Sequence, residues 1–269
     1  MTLSGLPVHV QLLGGDPGRM AQSAFAAYEA GAKAIDINFG CPAPTVNRHD
    51  GGATLLKHPQ RIREIVASIR AAVPKEIAVS AKLRLGWDTH DPIYENADMA
   101  AEGGASWLTI HGRTRVQGYA PPAYWNPIGQ VRERVRIPVA ANGDIWTIEE
   151  FRRCREETGC IHFMLGRGAL ANPLLSRQVA RELGLLPYVA GAQADVLFDW
   201  IPLLKRLVEY TEIYSENARY QTVRRIKQWL SMASRFGDFK DFDAVKRALT
   251  TEEIFDTLTQ LTRQFPLNV

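Results

Sequence analysis

The chain has 269 residues, of which 46% are hydrophobic and 23% charged, with a formal net charge of +3. That size holds one large α/β domain or a barrel-sized domain with an appendage, and the composition is that of an ordinary soluble globular protein, without repeats or low-complexity tracts. Mild basicity permits a nucleic-acid partner without demanding one, and the lack of any run of about 18 apolar residues argues against a membrane span.

No basic segment followed by an apolar run opens the chain, so no signal peptide is expected. Cys41, Cys154 and Cys160 have neither disulfide nor zinc-ligand spacing, which fits a reducing cytoplasm and no metal.

From residue 7 to residue 170 strand and helix patterns alternate. Val8 to Leu13 reads as a strand, followed by an Ala-rich helix from Met20 to Ala30 that stops at Gly31. Ala34 to Asn38 is the second strand, and Ile62, Ile65, Val66 and Ile69 form one face of a helix from Arg61 to Ala72. Ile77 to Leu83 precedes a helix from Ile93 to Glu102, which ends at Gly103-Gly104. Trp107 to Ile110 leads to His111 and then to a short helix, Pro127 to Val135. Ile137 to Ala141 ends at Asn142-Gly143 before a helix from Ile148 to Glu157, and Ile161 to Leu165 ends at Gly166-Arg167-Gly168.

Such alternation implies βαβ units and a parallel sheet. Polar residues and glycines recur just past the strand ends, which favours a barrel with a ring of functional loops. The pattern nevertheless yields six strands where a closed (β/α)₈ barrel needs eight, so either the sheet is open or the first quarter of a barrel is missing. After about Pro187 the strand signal stops. Ile201, Leu204, Leu207 and Val208, then Val223, Ile226 and Leu230, then Ile254, Leu258 and Leu261 recur at helical spacing. An incomplete barrel over residues 1–186 is therefore expected to be followed by an all-helical unit over 187–269, with Leu186 to Gln193 as the linker.

The segment Asp36-Ile-Asn-Phe-Gly-Cys-Pro42 delivers Asn38 and Cys41 to a strand's carboxyl end, where the chemistry of such barrels sits. Cys41 is either a thiol placed to reach a ligand or a buried structural cysteine. Gln11 ends the first strand and needs partners, either a heterocycle or neighbouring backbone. Lys82 lies near a strand end, where a lysine calls for an anion, an electron-rich ring or solvent; Arg84 is the alternative functional cation of that pair. His111 precedes a glycine turn beside Arg113 and Arg115, and Tyr119 offers a ring or a hydroxyl just beyond.

Asn142-Gly-Asp144 and Gly166-Arg-Gly168 follow the last two strands, and each is either an ordinary βα turn or part of the usual phosphate site of these barrels, where Arg167 would add a bidentate charge. Between Arg219 and Arg247 basic residues interleave with Tyr220, Trp229, Phe236 and Phe239. That is either a nucleic-acid footprint or a solvated helical face.

Together these segments resemble the tRNA-dihydrouridine synthases, which are FMN enzymes. The match runs through Val10-Gln-Leu-Leu-Gly14, Asp36 to Pro42, Gly51-Gly-Ala-Thr-Leu-Leu56, Lys82 to Trp87, His111-Gly-Arg-Thr114, Asn142-Gly143 and Gly166-Arg-Gly168. Arg225-Ile-Lys-Gln-Trp-Leu230 is similar to the bacterial subgroup acting on uridine 16 of the D-loop.

The resemblance implies a TIM-type barrel that binds FMN at its C-terminal face, reduction of that flavin by NADPH, and hydride transfer to C6 of a uracil in tRNA. It implies Cys41 as the general acid toward C5, and Gln11, Lys82 and His111 as FMN contacts. Asn142, Gly143, Asp144, Gly166 and Arg167 would hold the ribityl phosphate end; Asn38, Tyr119, Arg225, Lys227 and Arg247 would face the RNA. Family members open with two further strands, so the chain is expected to be an N-terminally truncated form of a cytoplasmic enzyme that is a monomer when full length. Two other readings are kept: a tRNA-binding remnant that has lost flavin, and another FMN barrel that reduces a free pyrimidine.

Overall fold

The aliphatic runs of the first 164 residues become six parallel strands. A computed structural model describes residues 8–186, 198–214 and 218–264, side chains excepted at 214, 218–220 and 264. In chain order the sheet part contains β1 (His9–Leu12), α1 (Pro17–Glu29), β2 (Ala34–Asn38), α2 (Pro44–Asn47), a 3₁₀ turn (Gly52–Lys57), α3 (Pro59–Ala72), β3 (Ala78–Arg84) and α4 (Pro92–Glu102). It continues with β4 (Trp107–His111), α5 (Asn126–Arg134), β5 (Val139–Asn142), α6 (Ile148–Thr158) and β6 (His162–Met164). Strand order equals chain order, β1-β2-β3-β4-β5-β6, with every neighbouring pair parallel. Among the described residues β1 pairs only with β2, and β6 only with β5.

Period-two alternation sorts each strand's side chains onto two faces. Ile35 and Ile37, Val79, Ala81 and Leu83, and Leu108 and Ile110 are buried on one face. The helices supply matching apolar stripes: Ile62, Ile65, Val66 and Ile69 of α3 are each fully buried at helical spacing. Prolines in the first turn of α1, α3, α4 and α5 preset φ where no backbone donor is needed. The opposite face is polar. It carries Gln11, Asp36, Asn38, Ser80, Lys82, Arg84, Thr109, His111 and Asn142, and register aligns these across the sheet, with Asn38 beside Lys82 and Arg84 beside His111, itself beside Asn142.

Beyond β6 the described elements are helices: α7 (Arg167–Ala171), α8 (Leu175–Glu182), α9 (Trp200–Tyr214), α10 (Ala218–Phe236), α11 (Phe242–Val245) and α12 (Thr251–Gln264). Leu204, Ile226, Leu230, Ala233, Phe239, Val245, Ile254 and Leu258 form their core, and Ile201, Leu207, Val208 and Val223 pack against it. By packing, the chain divides into two units. The described residues up to Asp144 group with Arg152–Met164, and Ile145–Phe151 groups with the described residues from Leu165 onward. Within the second unit Trp146 stacks on Phe236, ring centroids 4.3 Å apart, and the Trp229 indole N–H donates to the Leu170 carbonyl at 2.6 Å. The expected linker after Leu186 lies outside the described residues, as do the side chains of Arg219 and Tyr220.

No helix among the described residues is long and apolar enough to cross a membrane. Cys154 and Cys160 are both buried, and burial pushes both thiols above the ordinary range.

Candidate active site

The backbone leaving β2 is held by side chains of β2, β3 and α2. Asn38 turns it first, its Oδ1 accepting from the Gly40 N–H at 2.9 Å. Arg84 Nε then donates to the Gly40 carbonyl at 2.9 Å. Cys41 follows, half-buried, and its carbonyl accepts from Ala53 N at 3.0 Å and from Asn47 Nδ2 at 2.9 Å. Asn47 also donates to the Gly51 carbonyl at 3.0 Å, and its Oδ1 accepts from Arg115 Nε at 3.2 Å. Gly52 closes the clamp with φ +59, and a Cβ there would stand 2.8 Å from the Cys41 carbonyl oxygen and 2.9 Å from its Cβ. The thiol thus sits on a backbone with little freedom. The polar segment Thr45 to Asp50 is not all loop, since its first half forms α2.

Beside this clamp runs a chain of hydrogen bonds across the polar face. Gln11 Nε2 donates to Asp36 Oδ2 at 2.6 Å, Ser80 Oγ donates to Asp36 Oδ1 at 2.6 Å, and Asn38 Nδ2 donates to Gln11 Oε1 at 2.9 Å. Gln11 therefore finds partners in a neighbouring carboxylate and amide rather than in backbone. The chain brings Gln11 and Asn38, expected on the cofactor and the RNA side respectively, into direct contact.

Lys82 and Arg84 behave differently. Arg84 is buried, and it donates to Gly40 and, through Nη1, to the Thr114 and Gly118 carbonyls at 3.0 and 2.9 Å. Its guanidinium, 5.5 Å from the Tyr119 ring centroid, ties the β2 exit to the β4 loop. Lys82 makes no hydrogen bond or ion pair among the described residues. Burial, then the Arg84 charge, lowers its pKa, while Asp36 and Cys41 pull the other way. Of the two cations, Lys82 is the one held without a partner. Lysine is rarely kept so unless an anion or electron-rich edge can meet it.

His111 ends β4 and is buried beside the β5 exit turn. That turn, Asn142-Gly143-Asp144, is pinned at each residue. Asn142 Nδ2 donates to the Met164 carbonyl at 2.7 Å, Trp125 Nε1 donates to the Gly143 carbonyl at 2.8 Å, and the Asp144 carboxylate pairs with Arg113 Nη2. Gly143 has φ +122, and a Cβ there would lie 3.7 Å from His111 Nε2. Asp144 also has positive φ, at 49°. Its carboxylate is engaged by an arginine that is fully buried, so only backbone N–H groups of this turn are suited to face a phosphate. Tyr119 is exposed at the rim.

In the second unit Gly166 caps α7, and the Arg167 guanidinium lies 5.0 Å from the Trp146 ring centroid. On α10, Thr222, Ile226, Leu230 and Ala233 turn inward, which leaves Arg225 exposed and Lys227 half-buried; Arg247 is exposed after α11. None of these three forms an ion pair among the described residues, in contrast to Lys246, which donates to Asp243 at 2.7 Å.

Asn47 and Asp36 are organising residues that the sequence reading did not single out, and Arg113, expected beside His111 as a cation for an anionic or RNA ligand, is instead fully buried against Asp144 and the Ala120 carbonyl. The double glycine Gly51-Gly52, which begins ten residues after Cys41, was the available signal that the chain folds back on Cys41.

The family described as Dihydrouridine synthase (Dus) matches residues 2–261. A tRNA-dihydrouridine(16) synthase of Shewanella oneidensis is 44% identical over 265 residues, covering 96% of this chain and 79% of the relative. That of Pseudomonas putida is 44% identical over 234 residues, 87% of this chain and 71% of its own length. Among solved structures, a mandelate racemase/muconate lactonizing enzyme from Roseiflexus sp. superposes with a TM-score of 0.46 at 16% identity, over 67% of this chain and 46% of the other.

Proposed function

Because this chain belongs to the dihydrouridine synthase family, we propose that it reduces uridine in tRNA to 5,6-dihydrouridine, at position 16 of the D-loop, with FMN as cofactor and NADPH as electron source. Lys82 is the observation that carries the cofactor reading: a largely buried ammonium with no hydrogen-bond or ion-pair partner among the described residues, on the polar face of the sheet between Asn38 and Thr109. An electron-rich heterocycle edge is the partner such a cation lacks.

The donor set fits the rest of the group. Gln11 and His111 supply hydrogen-bonding edges on the same face, and the Asn142-Gly143-Asp144 turn offers backbone N–H groups suited to the phosphate end; Gly166 and Arg167 are proposed for that end as well. FMN, when bound, supplies the hydride that adds to uracil C6.

The protein's own part is to hold and deliver a proton. Cys41 would pass its thiol proton to C5. The clamp of Asn47, Gly52 and Arg84 serves that role by fixing the backbone that carries the sulfur. Asn38 and Tyr119 would meet the RNA at the rim. Arg225, Lys227 and Arg247, each lacking a carboxylate partner among the described residues, would meet phosphates from the helical unit. The target base has to leave its stack to reach Cys41, and a charged, aromatic entrance favours that.

Cys41→Ala tests the proposal. The variant should take up FMN as the parent does, seen in the visible flavin bands, while dihydrouridine formation on unmodified tRNA falls by roughly 10²-fold or more. Undiminished product would remove the acid role, and a parent chain that takes up no FMN would remove the cofactor.

A further inference from the structure

Three loops at the carboxyl end of the sheet meet at one indole ring. Lys57 ends the 3₁₀ turn after Cys41, Trp87 follows β3 and Arg115 follows β4. Lys57 Nζ lies 3.7 Å from the Trp87 ring centroid, and the Arg115 guanidinium carbon lies 4.7 Å from it. A single cation on a tryptophan is a common packing arrangement, but two on one ring repel each other. Several exposed arginines of the sheet unit do have carboxylate partners: Arg61 pairs with Glu64, Arg63 with Glu102 and Arg134 with Asp98. Neither Lys57 nor Arg115 has a carboxylate partner among the described residues. Asp50, Asp88 and Asp91, the acids in the same loops, form no ion pair with them, and Asp88 Oδ1 instead accepts from Thr89 N at 3.0 Å.

Arg115 is also fixed in place. Its backbone N–H donates to the Gly86 carbonyl at 2.9 Å, the next residue's N–H donates to the Trp87 carbonyl at 2.8 Å, and its Nε donates to Asn47 Oδ1. With Nε engaged, the two terminal nitrogens are left to meet a ligand. The same Asn47 holds the Cys41 carbonyl, so the cation pair is one side chain away from the backbone of the candidate acid.

We propose that Lys57 and Arg115, gathered on Trp87, form a phosphodiester-binding subsite for the RNA strand at the rim next to Cys41. An ammonium and a guanidinium held beside an apolar ring suit a singly charged phosphodiester, and the ring keeps water off one side of the contact. A nucleotide drawn out of its stack toward Cys41 brings its flanking phosphates to this rim. The subsite rests on the tRNA reading above and adds to it a contact from the sheet unit itself, independent of the helical unit's arginines.

The test is the salt dependence of binding of the full chain to an unmodified tRNA transcript, for the parent, K57A, the double variant K57A/R115A and the charge-retaining K57R/R115K. Loss of one phosphate contact should make the log–log slope shallower by roughly 0.7–0.9 in K57A/R115A, with K57R/R115K keeping the parent slope. Lys57 is exposed, so K57A alone should fold and show part of the change. A double variant with the parent's slope, or one in which only the dependence on NADPH concentration shifts, overturns the subsite and leaves the proposed function standing. A parent that binds no tRNA at any salt concentration overturns both.

Discussion

Single residues around Cys41 show how a loop is made rigid without secondary structure. Gly52 combines a left-handed backbone with contact distances to Cys41 that leave no room for a methyl group. Gly52→Ala should therefore shift the Cys41 backbone, lowering dihydrouridine formation by about 10²-fold, the scale of a misplaced catalytic group, while FMN uptake stays near that of the parent. An active Gly52→Ala variant would show that the clamp is dispensable. Lys82 sets function against stability. Burial lowers its pKa in the fold, so between the folded and unfolded pKa values the unfolded chain binds more protons. The cost of burying the ammonium is full below the folded pKa and fades as pH rises toward the unfolded lysine value of about 10.4. Lys82→Met should raise the melting temperature at pH 7 by roughly 2–4 °C, the equivalent of about 1 kcal/mol, with the gain shrinking at alkaline pH and FMN uptake lost. A lower melting temperature at pH 7 would show that the ammonium is already compensated. The placement of Cys41, Lys82 and His111 toward the carboxyl ends of strands was legible in the sequence, because each follows an apolar run that reads as a strand. The burial of Arg113 was not, since arginine is rarely buried and its partners, the distant Asp144 and the Ala120 carbonyl, come from the fold.

At the level of elements, the six strands were legible because aliphatic runs bounded by glycine and polar residues leave few alternatives. Their observed ends lie within two residues of the pattern, and β2 coincides with it. The short α2 and the 3₁₀ turn were hidden, because Pro44 to Lys57 has no apolar periodicity of its own. Their form comes from tertiary partners, chiefly Asn47 reaching the Cys41 and Gly51 carbonyls and Thr54 Oγ1 donating to the Asn47 carbonyl at 3.0 Å. In α10 the periodicity was clear, and it also sorts function: the inward row builds the helical core while Arg225 and Lys227 fall outside that row.

Over the whole molecule, each of the two units carries its own apolar core, and the helical unit includes residues 145–151 and 165–186 besides the helices that follow. Nothing local in Ile145 to Phe151 announces that membership, which depends on Trp146 meeting Phe236 some 90 positions later. The uneven exposure of the three sulfurs has a practical outcome. With Cys154 and Cys160 sealed inside and their ionisation suppressed, an alkylating reagent such as iodoacetamide should find one address on the native chain, Cys41. Mass spectrometry should count a single adduct before denaturation and three after it; a native protein that takes two or three would contradict the burial. Slower labelling in the presence of flavin or RNA would then report occupancy of the mouth directly, with no turnover required.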